Sequence, residues 1–259
     1  MPTIAIANQK GGVGKTTTVI NLGAALAEAG HRTLVVDLDP QANATSGLGV
    51  DKGRNASSVY EALIGQAQLP DVVMATRWQG LDLVPSAIRL AGAEIEMVGI
   101  MAREQRLRRI LESVKDNYAV VLVDCSPSLG MLTVNALTAA DGIVIPIQCE
   151  YLALEALGQL TSTIELIRDN LNPRLRIFGI VMTMFDARTN LAQQVVEQVR
   201  THFPRETFDA IIPRSVRLSE APSYGQPILH YDSASRGAAA YRQLATELAA
   251  RLWENSEKR

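Results

Sequence analysis

Near its start the chain reads Asn8-Gln9-Lys10-Gly11-Gly12-Val13-Gly14-Lys15-Thr16-Thr17, after a short apolar run and ahead of an amphipathic one. Gly11, Gly12 and Gly14 permit positive φ and let a ligand approach bare backbone. A strand, such a loop and a helix in that order aim backbone N–H groups at one point, where phosphate oxygens bind. Lys15 would neutralise the β- and γ-phosphates of a nucleotide, and the Thr16 hydroxyl would ligate Mg²⁺. The standard template has glycine where this chain has Gln9, so the loop is a variant of that form. Lys10 cannot easily reach a γ-phosphate that Lys15 and the backbone already surround. Its charge needs another destination, with an idle solvated lysine as the plain alternative.

Apolar runs rich in Val and Ile recur at 3–8, 33–39, 81–85, 119–124, 142–148 and 177–184. They are apolar throughout rather than alternating, which suits parallel strands covered on both faces. Helical patterns fall between and after them at 16–29, 86–114, 129–139, 153–171, 191–202 and 235–253. The alternation predicts an α/β fold, doubly wound, with a mostly parallel sheet flanked by helices and ligands at the carboxyl ends of the strands. With 47% hydrophobic residues, the 259-residue chain is expected to form a single P-loop domain over 1–259, without a separate N-terminal DNA-binding domain.

The formal charge of −2 excludes a globally basic nucleic-acid protein, but charge is unevenly spread. Residues 174–259 carry 12 Lys and Arg against 9 Asp and Glu. Cys125 and Cys149 lie in apolar runs and read as buried reduced thiols. Neither a signal peptide nor a membrane span is indicated, so a cytoplasmic protein is expected.

Two aspartates, Asp37 and Asp39, end the second apolar run on one side of it. The run 119–124 ends in Asp124, a Walker B pattern whose carboxylate can hold Mg²⁺ through water. Ser126 and Ser128 follow in Asp124-Cys-Ser-Pro-Ser-Leu-Gly130, where a helix cap competes with a phosphate-sensing role.

The loop 10–17 resembles the two-lysine, deviant Walker A box of the ParA/MinD superfamily. That resemblance implies that Lys10 crosses a dimer interface to the partner subunit's nucleotide. It further implies that 37–41 is a switch I segment, with Asp39 positioning the attacking water and Asp37 supporting the magnesium shell, and that 124–130 is switch II. Further segments are similar to ParA proteins of the Soj type: Ala42-Asn-Ala-Thr-Ser-Gly47, Val84-Pro-Ser86, 146–151 with 153–155, Asp186-Ala-Arg-Thr-Asn190 and Ile212–Pro222. The last resembles an adenine-contacting loop, to which Pro213 and Ser215 belong, Ser215 standing where relatives commonly have asparagine. Arg188 and Arg217 match positions used for DNA binding without sequence preference.

The resemblance thus implies an ATPase that binds ATP and Mg²⁺ through residues 10–17, forms a homodimer with ATP, and binds nucleoid DNA. Slow hydrolysis would be stimulated by a ParB-like partner. A MinD-like membrane switch would need a basic amphipathic C-terminal helix. Here Tyr241, Leu244, Ala245, Leu248 and Leu252 instead predict a docked helix, followed by an exposed charged end at 254–259. An iron–sulfur reductase would need interfacial cysteines that Cys125 and Cys149 do not match. A DNA scaffold without turnover would have no use for Asp39.

Overall fold

The computed structural model describes residues 1–51, 57–151 and 153–253. Among these, eight strands form one sheet: β1 (Thr3–Ile6), β2 (Thr33–Leu38), β3 (Met74–Ala75), β4 (Leu81–Val84), β5 (Val120–Cys125), β6 (Gly142–Gln148), β7 (Arg176–Phe185) and β8 (Thr207–Pro213). Their spatial order is β3-β4-β2-β5-β1-β6-β7-β8, and only the pair β3–β4 is antiparallel.

Successive side chains of each strand enter two different cores, which is why these runs are apolar at every position. Ile4 and Ile6 of β1, Val35 of β2 and Leu122 of β5 pack toward the first helix, α1 (Lys15–Glu28), and the last helix, Arg236–Trp253. Ala5, Leu34, Val36, Val121 and Val123 point the other way, toward the helices Met131–Ala139, Ala153–Asn170 and Asn190–His202. The Tyr241, Leu244, Ala245, Leu248 and Leu252 stripe is buried in the first of these cores. That helix is docked as its spacing predicts, and its apolar face is covered by protein. The charged end at 254–259 lies outside the described residues.

Two strands were not among the expected runs. β3 is only two residues long, and β8 is an edge strand whose Asp209 is exposed between buried neighbours, so neither is a continuous apolar run. The predicted helix 86–114 is instead broken into Leu90–Glu96, Arg106–Leu111 and three single 3₁₀ turns. Ala102 adopts a left-handed φ of 51°, which no α-helix accommodates. The buried Asn135 then fixes the restart, accepting from Leu107 N–H at 3.1 Å and donating to the Arg103 carbonyl at 2.9 Å. Periodicity carries no trace of this long-range contact.

Strand register sets the site. Ile6 is opposite Asp124, and Asp37 is opposite Asp124, so the carboxyl ends of β1, β2 and β5 converge at one level of the sheet.

Candidate nucleotide site

Residues 7–14 turn from β1 into α1 over this convergence. Gly12 and Gly14 have φ of 76° and 89°, a region that side chains with a Cβ rarely enter. A Cβ on Gly11 or Gly12 would meet no protein atom within 4 Å, so the loop faces open space rather than packed neighbours. The first backbone bond of α1 is Thr18 N–H to the Gly14 carbonyl at 2.8 Å. The amides of Lys15, Thr16 and Thr17 therefore stand outside the helix's own ladder, at the positive end of its dipole.

The loop is fastened from several sides. The Thr183 hydroxyl donates to the Val13 carbonyl at 2.9 Å, and Asn8 Nδ2 donates to the Pro146 carbonyl at 2.8 Å. Gln9 Nε2 donates to the Thr163 hydroxyl at 3.0 Å, so the residue that breaks the standard template ties the loop to the helix Ala153–Asn170. A loop held this way needs little rearrangement to receive an anion.

The two lysines part company. Lys15 is buried, and its Nζ donates to the Lys10 carbonyl at 3.1 Å beneath the loop. Burial lowers its pKa, an effect opposed by Asp124, Cys125 and Asp39. The Lys10 ammonium instead leaves the loop and meets Glu150 Oε2 at 3.3 Å, beyond the end of β6.

Asp37 is fully buried and serves as a hub. Its Oδ2 accepts both the Thr45 amide and the Thr45 hydroxyl at 2.7 Å, and its Oδ1 accepts Asp39 N–H at 3.2 Å. Ser86 closes the ring: its amide donates to the Thr45 hydroxyl at 2.9 Å and its own hydroxyl to the Asp39 carbonyl at 2.7 Å. The backbone of Asp39 is thus held from two sides, while its side chain accepts Gln41 N–H at 3.0 Å. Burial raises the Asp37 pKa from its ordinary 3.8 to about 6, against the lowering effect of Thr45. Its contribution to stability is therefore greatest below the unfolded value and is lost as pH rises through the folded one.

Asp124 is the exception to this pairing. It is completely buried, and among the described residues neither carboxylate oxygen completes a hydrogen bond. Burial, then the charges of Asp37 and Asp39, push its pKa well up, while the nearby Thr16 hydroxyl and Lys15 favour the charged form. A buried carboxylate left without a partner is destabilising by itself. Beside a lysine, a threonine hydroxyl and a glycine loop, it fits a cation bound through water together with phosphate oxygens. No three His, Cys, Asp or Glu side chains among the described residues converge into a cage. Mg²⁺ suits such a site, since it commonly keeps waters and shares substrate phosphates. We expect nucleotide-free Asp124→Asn to melt no lower than the parent, because a buried acid crowded by Asp37 and Asp39 is replaced by a group of similar shape that cannot ionise. The rise in Tm that ATP gives only with Mg²⁺ should disappear; a preserved rise would remove Asp124 from the metal site.

A cavity of about 130 Å³ adjoins the loop, lined by Gly14, Thr17, Met184, Pro213, Ser215 and Leu218 among others. Pro213 and Ser215 thus come to the same place as the loop. The Ser215 side chain does not cap the following helix, Val216–Glu220. Met184, at the cavity wall, has a φ of 52°, a strained conformation for a non-glycine residue. Ser126 and Ser128 do not cap the helix Met131–Ala139, whose N-cap is Gly130; their hydroxyls lie 3.1 Å apart.

Arg188 and Arg217 are both exposed, and both have carboxylate neighbours. Arg188 is held by Asp186 at 2.8 and 2.6 Å, and Arg217 lies 3.2 Å from Glu220 and 3.7 Å from Asp232. Thr45, Ser86 and Glu150 were not singled out from chemistry. Their roles depend on contacts across 8, 41 and 140 residues of chain, which leave no local signature in the sequence.

Comparison with known proteins places this geometry. A family model described as an AAA domain matches residues 1–177. The chain is 56% identical over 247 residues to the sporulation initiation inhibitor protein Soj of Bacillus subtilis (strain 168), covering 95% of this chain and 98% of that protein. The chain belongs to the ParA/Soj family of P-loop ATPases. A second ParA/Soj relative, the chromosome partitioning protein ParA of Caulobacter vibrioides (strain NA1000 / CB15N), is 51% identical over 257 residues, covering 98% of this chain and 96% of that protein. Among solved structures, the cobyrinic acid a,c-diamide synthase of Mycobacterium smegmatis, with bound ATP analog and magnesium, superposes with a TM-score of 0.87. It is 38% identical and covers 99% of this chain and 97% of that one. MinD of Pyrococcus horikoshii OT3, complexed with Mg-ADP, gives 0.77 at 26% identity, covering 95% of each chain. The fold is thereby shared with structures solved with bound nucleotide and magnesium.

Proposed function

We propose that this ParA-type ATPase is a switch: ATP and Mg²⁺ join two copies, the dimer binds DNA without sequence preference, and hydrolysis releases it. The observation that carries this reading is the separation of the two lysines. Lys15 lies under its own loop, whereas the Lys10 ammonium is directed away from it, so only one of them is placed for the chain's own phosphates. A second ammonium at the rim can reach a γ-phosphate bound to another copy, which makes the triphosphate a bridge that ADP cannot provide.

In this reading the amides of residues 11–17 cradle the phosphates, with Lys15 on the β- and γ-phosphates. Thr16 and Asp124 hold Mg²⁺, which neutralises charge on the phosphate oxygens. Asp37 supports that shell indirectly, by fixing Thr45 and the Asp39 backbone. Asp39 orients the attacking water, and Pro213 and Ser215 border the base. Turnover is slow alone and is stimulated by a ParB-like protein together with DNA. The whole of 1–259 acts as one ATPase unit, cytoplasmic and associated with the nucleoid, and it moves DNA during segregation.

Arg188 and Arg217 supply the phosphate contacts. Each is partly neutralised by its neighbours, so one protomer offers little net positive charge and two offer a usable patch. Arg188→Glu and Arg217→Glu should each weaken DNA retention in the ATP-bound state and lower the log–log salt slope by about two, one contact from each protomer. Fluorescence anisotropy against salt, with ATP, ADP and no nucleotide, checks this. Unchanged affinity in both variants would refute the patch; retention by liposomes in place of DNA would favour a membrane switch.

A further inference from the structure

Glu150 has a defined place beside Lys10. It follows β6, and its carboxylate is divided between two donors: Gln148 Nε2 donates to Oε1, while the Lys10 ammonium lies 3.3 Å from Oε2. The Glu150 carbonyl accepts Ala153 N–H at 3.1 Å, which anchors its backbone at the start of the helix Ala153–Asn170. Lys10 is anchored as well, its amide donating to Asn8 Oδ1 at 2.9 Å and its carbonyl accepting Lys15 Nζ at 3.1 Å. With both backbones fixed, the pair is preset by the fold rather than found by two free side chains. Its side chains are 36% and 47% exposed, so water and a second molecule can both reach it.

We infer that Glu150 is a positioning residue that retains the Lys10 ammonium within its own protomer and so sets the ATP level at which two copies join. This rests on the proposed role of Lys10 in bridging to a second copy. Among the described residues the Lys10 ammonium has one carboxylate neighbour, Glu150, and it must give up that contact, at least in part, to serve a phosphate elsewhere. Two such pairs open for every dimer formed, so a pair that is weak alone acts twice on the same equilibrium. The triphosphate has more charge than a carboxylate, and it wins the ammonium when two loaded copies meet. A diphosphate, lacking the terminal group, leaves Lys10 with Glu150. The contact thus stays closed without nucleotide or with ADP and opens only where ATP competes for the ammonium, so it raises the ATP level needed for dimers.

Glu150→Gln keeps the shape and removes the charge. Exposed pairs contribute little singly, and with two per dimer the apparent dimer dissociation constant should fall by about 2- to 30-fold. Sedimentation velocity across a concentration series, using a slowly hydrolysed ATP analogue, reads this directly. The same series with ADP should show no comparable gain, because without a terminal phosphate the pair stays closed; an equal gain with ADP would overturn the inference. Glu150→Gln dimers no tighter than the parent's, or weaker, would overturn the inference. Lys10→Ala and the double variant separate the two readings. Where Lys10 bridges, Lys10→Ala is monomeric and Glu150→Gln changes nothing in its background. Where Lys10→Ala still dimerises with the analogue, the bridging role itself has failed. Glu150→Gln tightening that persists in the Lys10→Ala background would show that the carboxylate acts by general repulsion between copies, and would also overturn the inference.

Discussion

Lys15→Ala is expected to weaken ATP binding by roughly 100-fold or more, beyond the range of an ordinary titration. Lys15 is a buried cation that already has an internal acceptor, the Lys10 carbonyl at 3.1 Å, and two acidic neighbours in Asp124 and Asp39. A charge-assisted contact to a phosphate is worth about 1.5–3 kcal/mol, and Lys15 is placed for two phosphates at once. Its removal also leaves Asp124 with a still worse environment, since Lys15 is one of the few groups that favour the ionised carboxylate. The loss should therefore appear twice: in isothermal titration as absent ATP binding, and in melting curves as a nucleotide-free protein that gains nothing from Mg²⁺ and ATP. Binding within a few-fold of the parent's would mean that the glycine loop is not the phosphate site.

Asp39→Ala should act on the other half of the cycle. The Asp39 backbone is held by Asp37 and Ser86, and those bonds do not involve its side chain, so the substitution should leave the loop intact. Only the carboxylate beside Asp124 and Lys15 is lost, together with its bond from Gln41 N–H. Positioned acid–base groups contribute about 10²–10⁴-fold to rates, so turnover should fall by two orders of magnitude or more while ATP binding persists. A dimer that cannot hydrolyse its bridging nucleotide should remain on DNA after excess ADP is added, where the parent dissociates. A variant that turns over normally would assign the water to another residue and leave Asp39 with a structural role.

How much of this was legible in the sequence varies with the reach of the contact. Strands β1, β2, β4, β5, β6 and β7 announce themselves because each is buried on both faces, and the loop 10–17 is recognisable because its glycines and lysines are consecutive. The edge strand β8 hides because Asp209 interrupts it, and the helix 86–114 fails because Ala102 turns left-handed and Asn135 dictates the restart. The short helix Val59–Ile64 had a readable signal, the capping box formed by Ser58 and Glu61, that periodicity passes over. Asp37 and Asp39 stand out by type, but that Asp37 is consumed in holding Thr45 follows only from the fold. The pairing of Lys10 with Glu150 spans 140 residues and has no local signature.

The central claim is that the two lysines act on nucleotides of different copies, and sedimentation of Lys10→Ala in the Asp39→Ala background tests it most directly. Hydrolysis is then removed as a variable, and the Asp39→Ala parent should sediment as a dimer with ATP and as a monomer with ADP. The double variant is predicted to remain a monomer with ATP at concentrations where that parent is dimeric, while still binding the nucleotide. A Lys10→Ala protein that dimerises with ATP as readily as its parent would contradict the account.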